Sequence, residues 1–290
     1  KEYGDERRSE IIAETREINI EDMIVEEDMV VTISRNGYIK RNPITLYRSQ
    51  RRGGKGVTAM GTKDQDFVEL LFVASTHHTF LFFTNRGKVY WCKVYDIPQA
   101  GRMSRGKAIV NLLQLEPEEK LTTVRAVPNF EPGYYVLMAT RSGLIKKTDV
   151  MAFSRPRAGG IIAINLNEGD ELVAARLTDG SYNVFLGSFK GKSIRFHEAD
   201  VRPSGRISQG VRGMNLSSDD HIVALEVLSH GQNMLTVTQN GYGKRTAIDE
   251  YPIQKRGGRG VITIKTSERN GNVVSILLVS DDDDIMLITD

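Results

Sequence analysis

Five times along the chain the same arrangement recurs: an apolar run, a turn holding a glycine, then a second run that opens on basic residues. The segments read VVTISRNGYIKR, FLFFTNRGKVYW, VLMATRSGLIKK, VFLGSFKGKSIR and LTVTQNGYGKR. Their turn glycines are Gly37, Gly87, Gly143, Gly191 and Gly241, spaced 50, 56, 48 and 50 residues apart. Asn-Gly at 36–37 and 240–241 favours the positive φ of tight hairpins. After the turn comes a strand such as Lys192–Phe196, where Ile194 and Phe196 face one way and Ser193 and Arg195 the other. A loop rich in Gly and Arg follows, then a strand such as GVITIK (Gly260–Lys265). A fourth strand comes next, such as ELVAARL (Glu171–Leu177) or VVSILLV (Val273–Val279).

Four-stranded units of about 50 residues, repeated five or six times, fit an all-β, propeller-like ring of blades. Radial packing then supplies a core that no single repeat can build. Residues 1–17 read as a linker or N-terminal extension, with DERRSEIIAE as the one helical candidate. Residues 18–290 read as one domain, with repeats at approximately 28–77, 78–133, 134–181, 182–232 and 233–280 and a partial sixth at 281–290. There DIMLITD begins another strand. INIEDMI (Ile18–Ile24) stands in the fourth-strand position ahead of the first repeat, and is expected to pair with the last blade and help close the ring. Because the chain opens on Lys1, it is expected to be part of a longer protein.

Charge sharpens this picture. The net charge of the 290-residue chain is +2, but residues 1–30 carry −7, residues 281–290 carry −5, and the body between them +14. A basic body points to a polyanionic partner. The cations also recur at one phase of the repeat, in the loop after the second strand. The five versions are QRRGGKG (50–56), GRMSRGKA (101–108), SRPRAGG (154–160), RPSGRISQGVRG (202–213) and QKRGGRG (254–260). On a periodic ring these loops form a belt. Arg offers forked donors to phosphate oxygens, Lys a point charge, and Gly lets backbone N–H groups approach closely. Binding through such loops should tolerate sequence and depend strongly on salt. The candidate contacts are Gln50, Arg51, Arg52, Gly53, Gly54, Lys55 and Gly56 in the first loop. In the others they are Arg102, Arg105, Lys107, Arg155, Arg157, Arg202, Arg206, Arg212, Lys255, Arg256 and Arg259.

Other chemistries fit poorly. Gly101–Ala108 matches GxxxxGK, yet Ala108 stands where a nucleotide loop needs a hydroxyl for magnesium, and the strand-like AIVNLLQL follows in place of a helix. His77, His78, His197, His221 and His230 show no metal-ligand spacing, and the lone Cys92 permits no internal disulfide. The run Asp281–Asp284 reads as a solvated loop. Tyr90, Tyr134, Tyr135 and Tyr182 read as packing residues, and no nucleophile–base pair can be assembled. No apolar run approaches the ~18 residues of a membrane span.

The loop QRRGGKG resembles the GyrA box, and the chain resembles the C-terminal DNA-wrapping domain of the bacterial DNA gyrase A subunit over essentially its whole length. Supporting stretches are YGDERR (3–8), VYDIP (94–98), VNLL (110–113), QNGYGKRTAI (239–248) and ITIKTSERNG (262–271). The resemblance implies a six-bladed β-pinwheel with strands exchanged between blades, its sixth blade truncated in this chain. It implies a rim that wraps double-stranded DNA with positive handedness so that an A₂B₂ holoenzyme introduces negative supercoils. That holoenzyme includes the gyrase A N-terminal domain and the B subunit. ATP and Mg then belong to other domains, with no cofactor and no catalytic residue in this fragment. It further implies a bacterial, cytoplasmic, nucleoid-associated protein with no membrane partner. QKRGGRG (254–260) nearly duplicates the box at a distance of 204 residues, where the family usually has a degenerate loop. The related domain of topoisomerase IV, whose box is degraded, is the nearest alternative. A propeller scaffold for protein partners is another, although only one Trp, Trp91, is present.

Overall fold

The computed structural model describes residues 20–47, 66–101, 103–228, 232–281 and 283. Each turn glycine of the repeat donates its N–H to the carbonyl three residues earlier, as from Gly37 to Ser34 at 2.9 Å and from Gly191 to Ser188 at 3.0 Å. All five have φ between 71° and 94°. The flanking runs pair as antiparallel hairpins in one shared register, with Ile33 opposite Ile39, Ala139 opposite Ile145 and Val237 opposite Gly243. The first strand of each hairpin is buried at nearly every position because both of its faces are covered. Thr79–Thr84 is buried at every position.

An inner strand pairs with the far side of each hairpin, and a short donated strand with the near side. Blade 1 runs Val68–Ser75, Asp28–Ser34, Tyr38–Pro43 and Lys107–Ala108. Blade 2 runs Leu121–Val127, Thr79–Thr84, Lys88–Lys93 and Ile161–Ile162. Blade 3 runs Leu172–Thr178, Tyr135–Thr140, Leu144–Asp149 and Val211–Arg212, and blade 4 runs Ile222–Leu228, Asn183–Ser188, Lys192–His197 and Val261–Ile262. The fourth strand of each blade thus comes from the next repeat. Blade 5 has three strands among the described residues: Val273–Val279, Asn233–Thr238 and Gly243–Ala247.

The core lies between blades. Met29, Val31 and Ile39 of blade 1 pack with Phe80, Phe82 and Tyr90 of blade 2. Similar layers join blades 2 and 3, 3 and 4, and 4 and 5. Residues from all five inner strands, Leu70, Arg125, Arg176, Glu226 and Leu277 among them, line one central cavity of about 280 Å³. At its wall Arg176 holds Glu226 through two hydrogen bonds of 3.0 and 2.7 Å. Burial, with Arg176 nearby, lowers the Arg125 pKa to about 10.

Several expectations are corrected. Among the described residues the strands form five blades, not six with a truncated sixth. Each blade is built on a hairpin and an inner strand, and the described residues past Val279 form neither. Residues 284–290, read as the opening strand of that blade, lie outside the described residues. Ile20–Met23 forms a 3-10 turn and not a closing strand. It docks at the junction of the first two blades, where Lys93 Nζ meets Glu21 Oε1 at 2.6 Å and His77 Nε2 lies 2.9 Å from Ile24 O. Within Gly260–Lys265 only Val261–Ile262 is strand, and Ile109–Asn111 is a 3-10 turn in place of a continuing strand. The helical candidate at 5–14 lies outside the described residues.

Candidate nucleic-acid interface

Basic residues near the start of the second hairpin strand turn inward and serve the fold, apart from the belt of rim loops. Four residues after the turn glycine stand Arg41, Trp91, Lys147 and Arg195. Each donates to a backbone carbonyl in the 3-10 turn of the next repeat, or just after it. Arg41 Nε reaches Ile97 O at 2.7 Å and its Nη2 reaches Tyr95 O at 3.0 Å. Trp91 Nε1 reaches Phe153 O at 2.7 Å, and Lys147 Nζ reaches Glu198 O at 2.9 Å. Arg195 Nη1 bridges Ile248 O and Tyr251 O at 2.8 and 3.2 Å. A tryptophan at this position shows what the site requires: an N–H donor, charged or not. One residue earlier, buried Lys40 and Lys146 also serve the fold. Lys40 Nζ donates to Gly101 O at 3.1 Å, while Lys146 Nζ donates to Ala163 O at 2.7 Å and to Arg206 O. Burial, with the Arg206 guanidinium nearby, pushes the Lys146 ammonium down to about 7.

These clasps set the rim loops at equivalent places. Short parallel bridges pair Arg41 with Gln99, Lys147 with Pro203 and Arg195 with Ile253, so each of these loops leaves its blade at the same point. Each loop then ends on a glycine with positive φ: Gly106, Gly160, Gly210 or Gly260. These press against the preceding hairpin so closely that a Cβ on Gly260 would meet Ser193 O at 2.2 Å. The result is a set of similar loops that leave and rejoin successive blades at equivalent positions.

The candidate contacts divide within this frame. Arg155, Arg157, Arg202, Arg212, Lys255 and Arg259 are exposed. None of the six makes an ion pair among the described residues. Lys107 is also exposed, on the strand donated to blade 1. Arg105 is half-buried, its guanidinium 3.7 Å from the centroid of the Tyr38 ring. Arg206 and Arg256 are half-buried and turned toward backbone carbonyls. The first-loop residues Gln50, Arg51, Arg52, Gly53, Gly54, Lys55 and Gly56 lie outside the described residues, as does Arg102.

The histidines have local roles. His197 Nδ1 accepts from Ala199 N, and His221 stacks on Phe189 with ring centroids 4.5 Å apart. His230 lies outside the described residues. Burial raises the pKa values of Tyr90 and Cys92, the latter to about 12, so neither is poised as a nucleophile at neutral pH. Among the described residues no group of three His, Cys, Asp or Glu stands ready to hold a metal ion, and no helix is long and apolar enough to cross a membrane.

Strand-exchanged blades around a central cavity define a β-propeller in which each of the first four blades depends on its successor. The chain belongs to the DNA gyrase C-terminal domain, beta-propeller family, whose sequence model matches residues 28–75, 78–128, 134–179, 182–229 and 232–280. Those five matched segments agree with the five blades. The chain is 54% identical over 290 residues to the DNA gyrase A subunit of Salmonella typhimurium, and 50% identical over 289 residues to that of Escherichia coli. All of this chain is covered in both comparisons, and it spans about a third (33%) of the length of these relatives. Among solved structures, a DNA topoisomerase IV C-terminal domain aligns with TM-score 0.75 and 29% identity, covering 89% of this chain and 80% of its own. A DNA gyrase A C-terminal domain aligns with TM-score 0.73 and 30% identity, covering 89% of this chain and 84% of its own.

Proposed function

We propose that this domain binds duplex DNA along its rim, bends it and wraps it with positive handedness. It thereby presents a segment for strand passage by a larger type II topoisomerase. The supporting observation is the set of exposed rim cations that lack ion pairs among the described residues and recur at one phase of consecutive blades. Phosphates are the ligand such a set fits, because Arg and Lys spaced along a curved path track a backbone without reading bases. Smoothly bending a 20–30 bp site by 40–90° costs on the order of 1–6 kcal/mol. One loop with two or three phosphate contacts cannot both hold and bend such a length, whereas successive blades add contacts as the path turns.

In this reading Gln50–Gly56 is the principal clamp and fixes where the path begins or ends. Lys255 and Arg259 in the near-copy of that loop hold it toward the other end. The working enzyme is an ATP-dependent A₂B₂ gyrase of the bacterial cytoplasm that introduces negative supercoils, with cleavage and ATP hydrolysis in its other domains. In a second reading, which the likeness to that solved structure favours, the chain is a topoisomerase IV-type C-terminal domain, and its rim then need not wrap DNA. Relaxing circular DNA in the presence of the chain separates the two. Wrapping traps positive writhe in proportion to protein and without ATP. An unchanged linking number at saturating protein rules wrapping out.

A further inference from the structure

Consecutive rim loops are tied to one another, and an arginine makes the tie. Arg206 and Arg256 occupy the same loop position, four residues before Gly210 and Gly260. Arg206 Nη1 donates to Ile162 O at 3.3 Å and Arg256 Nη1 to Arg212 O at 3.1 Å. Ile162 and Arg212 are themselves equivalent, each the second residue of the strand donated by the preceding repeat. Backbone bonds repeat the same link. Asn165 N donates to Ser208 O at 3.2 Å, Asn215 N to Gly258 O at 2.8 Å, and Gly257 N to Gly213 O at 2.7 Å. Arg256 uses a second donor, Nε, on Asp200 O at 2.8 Å. At the Arg206 junction Lys146 reaches Ala163 O and Arg206 O, holding both loops at once.

We propose that Arg206 and Arg256 are positioning residues that set the spacing of the rim loops, and that they are not phosphate ligands. Two observations carry this. Both guanidinium groups spend donors on carbonyls of the neighbouring loop, while Arg202, Arg212, Lys255 and Arg259 beside them are exposed and without ion pairs among the described residues. The tie also recurs between equivalent atoms at two successive junctions, as a structural joint does. A duplex is a stiff ligand with phosphates at fixed intervals, so a rim of independently moving loops would lose the match between cation and phosphate spacing. At Arg256 the planar fork bonds Asp200 O and Arg212 O from one rigid group, whereas a lysine would offer a single ammonium on a flexible stem.

The inference rests on the DNA-wrapping reading for its consequence but not for its geometry, so the experiment has two arms. In the DNA-free chain, Arg256→Ala should speed hydrogen exchange at Asn215 and Gly257 by about tenfold or more, the loss of one charge-assisted hydrogen bond. Arg206→Ala should do the same at Asn165. Arg259→Ala should leave all three unchanged. In the DNA arm, Arg259→Ala should lower the log–log salt slope of binding by about 0.9, the value of one phosphate. Arg256→Ala should leave that slope nearly intact while reducing trapped writhe, and Arg256→Lys should fail to restore it. A slope loss in Arg256→Ala equal to that of Arg259→Ala, or unaltered exchange at Asn215 and Gly257, overturns the assignment. If the parent chain shows no salt-dependent DNA binding, the wrapping reading falls, while the exchange arm still decides whether the joint exists.

Discussion

Trp91 donates its indole N–H to the carbonyl of Phe153 at 2.7 Å, across the junction between blades 2 and 3. Arg41, Lys147 and Arg195 make the same kind of bond at the other three junctions. In Trp91→Phe the ring is largely kept but the donor is lost. Leaving the carbonyl without its partner should destabilise the domain by about 1–3 kcal/mol. Urea unfolding checks this, and an unchanged midpoint would show that ring packing alone holds that junction.

Two turn glycines give a matched comparison. Gly191 and Gly241 have φ of 80° and 77°. A Cβ on Gly191 would lie 2.2 Å from Ile264 O, in the segment following the donated strand of blade 4, whereas one on Gly241 meets nothing within 4 Å. Gly241→Ala should therefore carry only the penalty of a left-handed conformation, about 1–2 kcal/mol. Gly191→Ala should lose more, because the donated strand must move as well. Equal losses in equilibrium unfolding would contradict the docking role of Gly191.

Lys146 makes stability depend on pH with a definite sign. Its folded value, about 7, lies below the ordinary 10.5. Between those values the unfolded chain holds the extra proton, so stability rises with pH across the window and burial of the ammonium is least favourable below it. Comparing the parent with Lys146→Met at about pH 6.5 and about pH 9.5 isolates the effect. The parent should gain relative to the variant at the higher pH; parallel profiles would refute the shift.

For the rim, replacing Arg51, Arg52 and Lys55 with Ala should reduce the salt slope by roughly 2–3 and abolish bending more completely than binding. Replacing Lys255 and Arg259 should reduce it by roughly 2 and shorten the protected DNA at one end. A variant of the first loop that still bends DNA normally would remove it from its role as principal clamp.

The hairpins are legible in the sequence because glycine at the turn leaves a mark with a fixed period, and the flanking apolar runs have few other readings. The donated strands are not, since two residues such as Val211–Arg212 are too short to show alternation. Blade number is misleading at the chain's end, where a single apolar stretch looks like the start of a further unit. Ile20–Met23 misleads in a similar way, its apolar residues suiting a strand while the backbone turns. Cation phase locates the rim loops, but it cannot separate Arg256 from Arg259, which differ in direction and not in kind. A signal for the inward clasps is present: Trp91 sits in register with Arg41, Lys147 and Arg195, and a tryptophan does not belong in a purely electrostatic pattern.

The donated strands put the unit of inheritance and the unit of folding out of step. Sequence repeats end near residue 181 or 232, yet cutting the chain at 181 would take Val211–Arg212 away from blade 3 and leave a raw sheet edge. Duplication of one repeat adds a blade without new joint chemistry, because each junction reuses the same bonds. Excision of a single blade as a working module is a different matter. Two sheets would be left incomplete, so such rings are free to change their number of blades over evolution while resisting being taken apart.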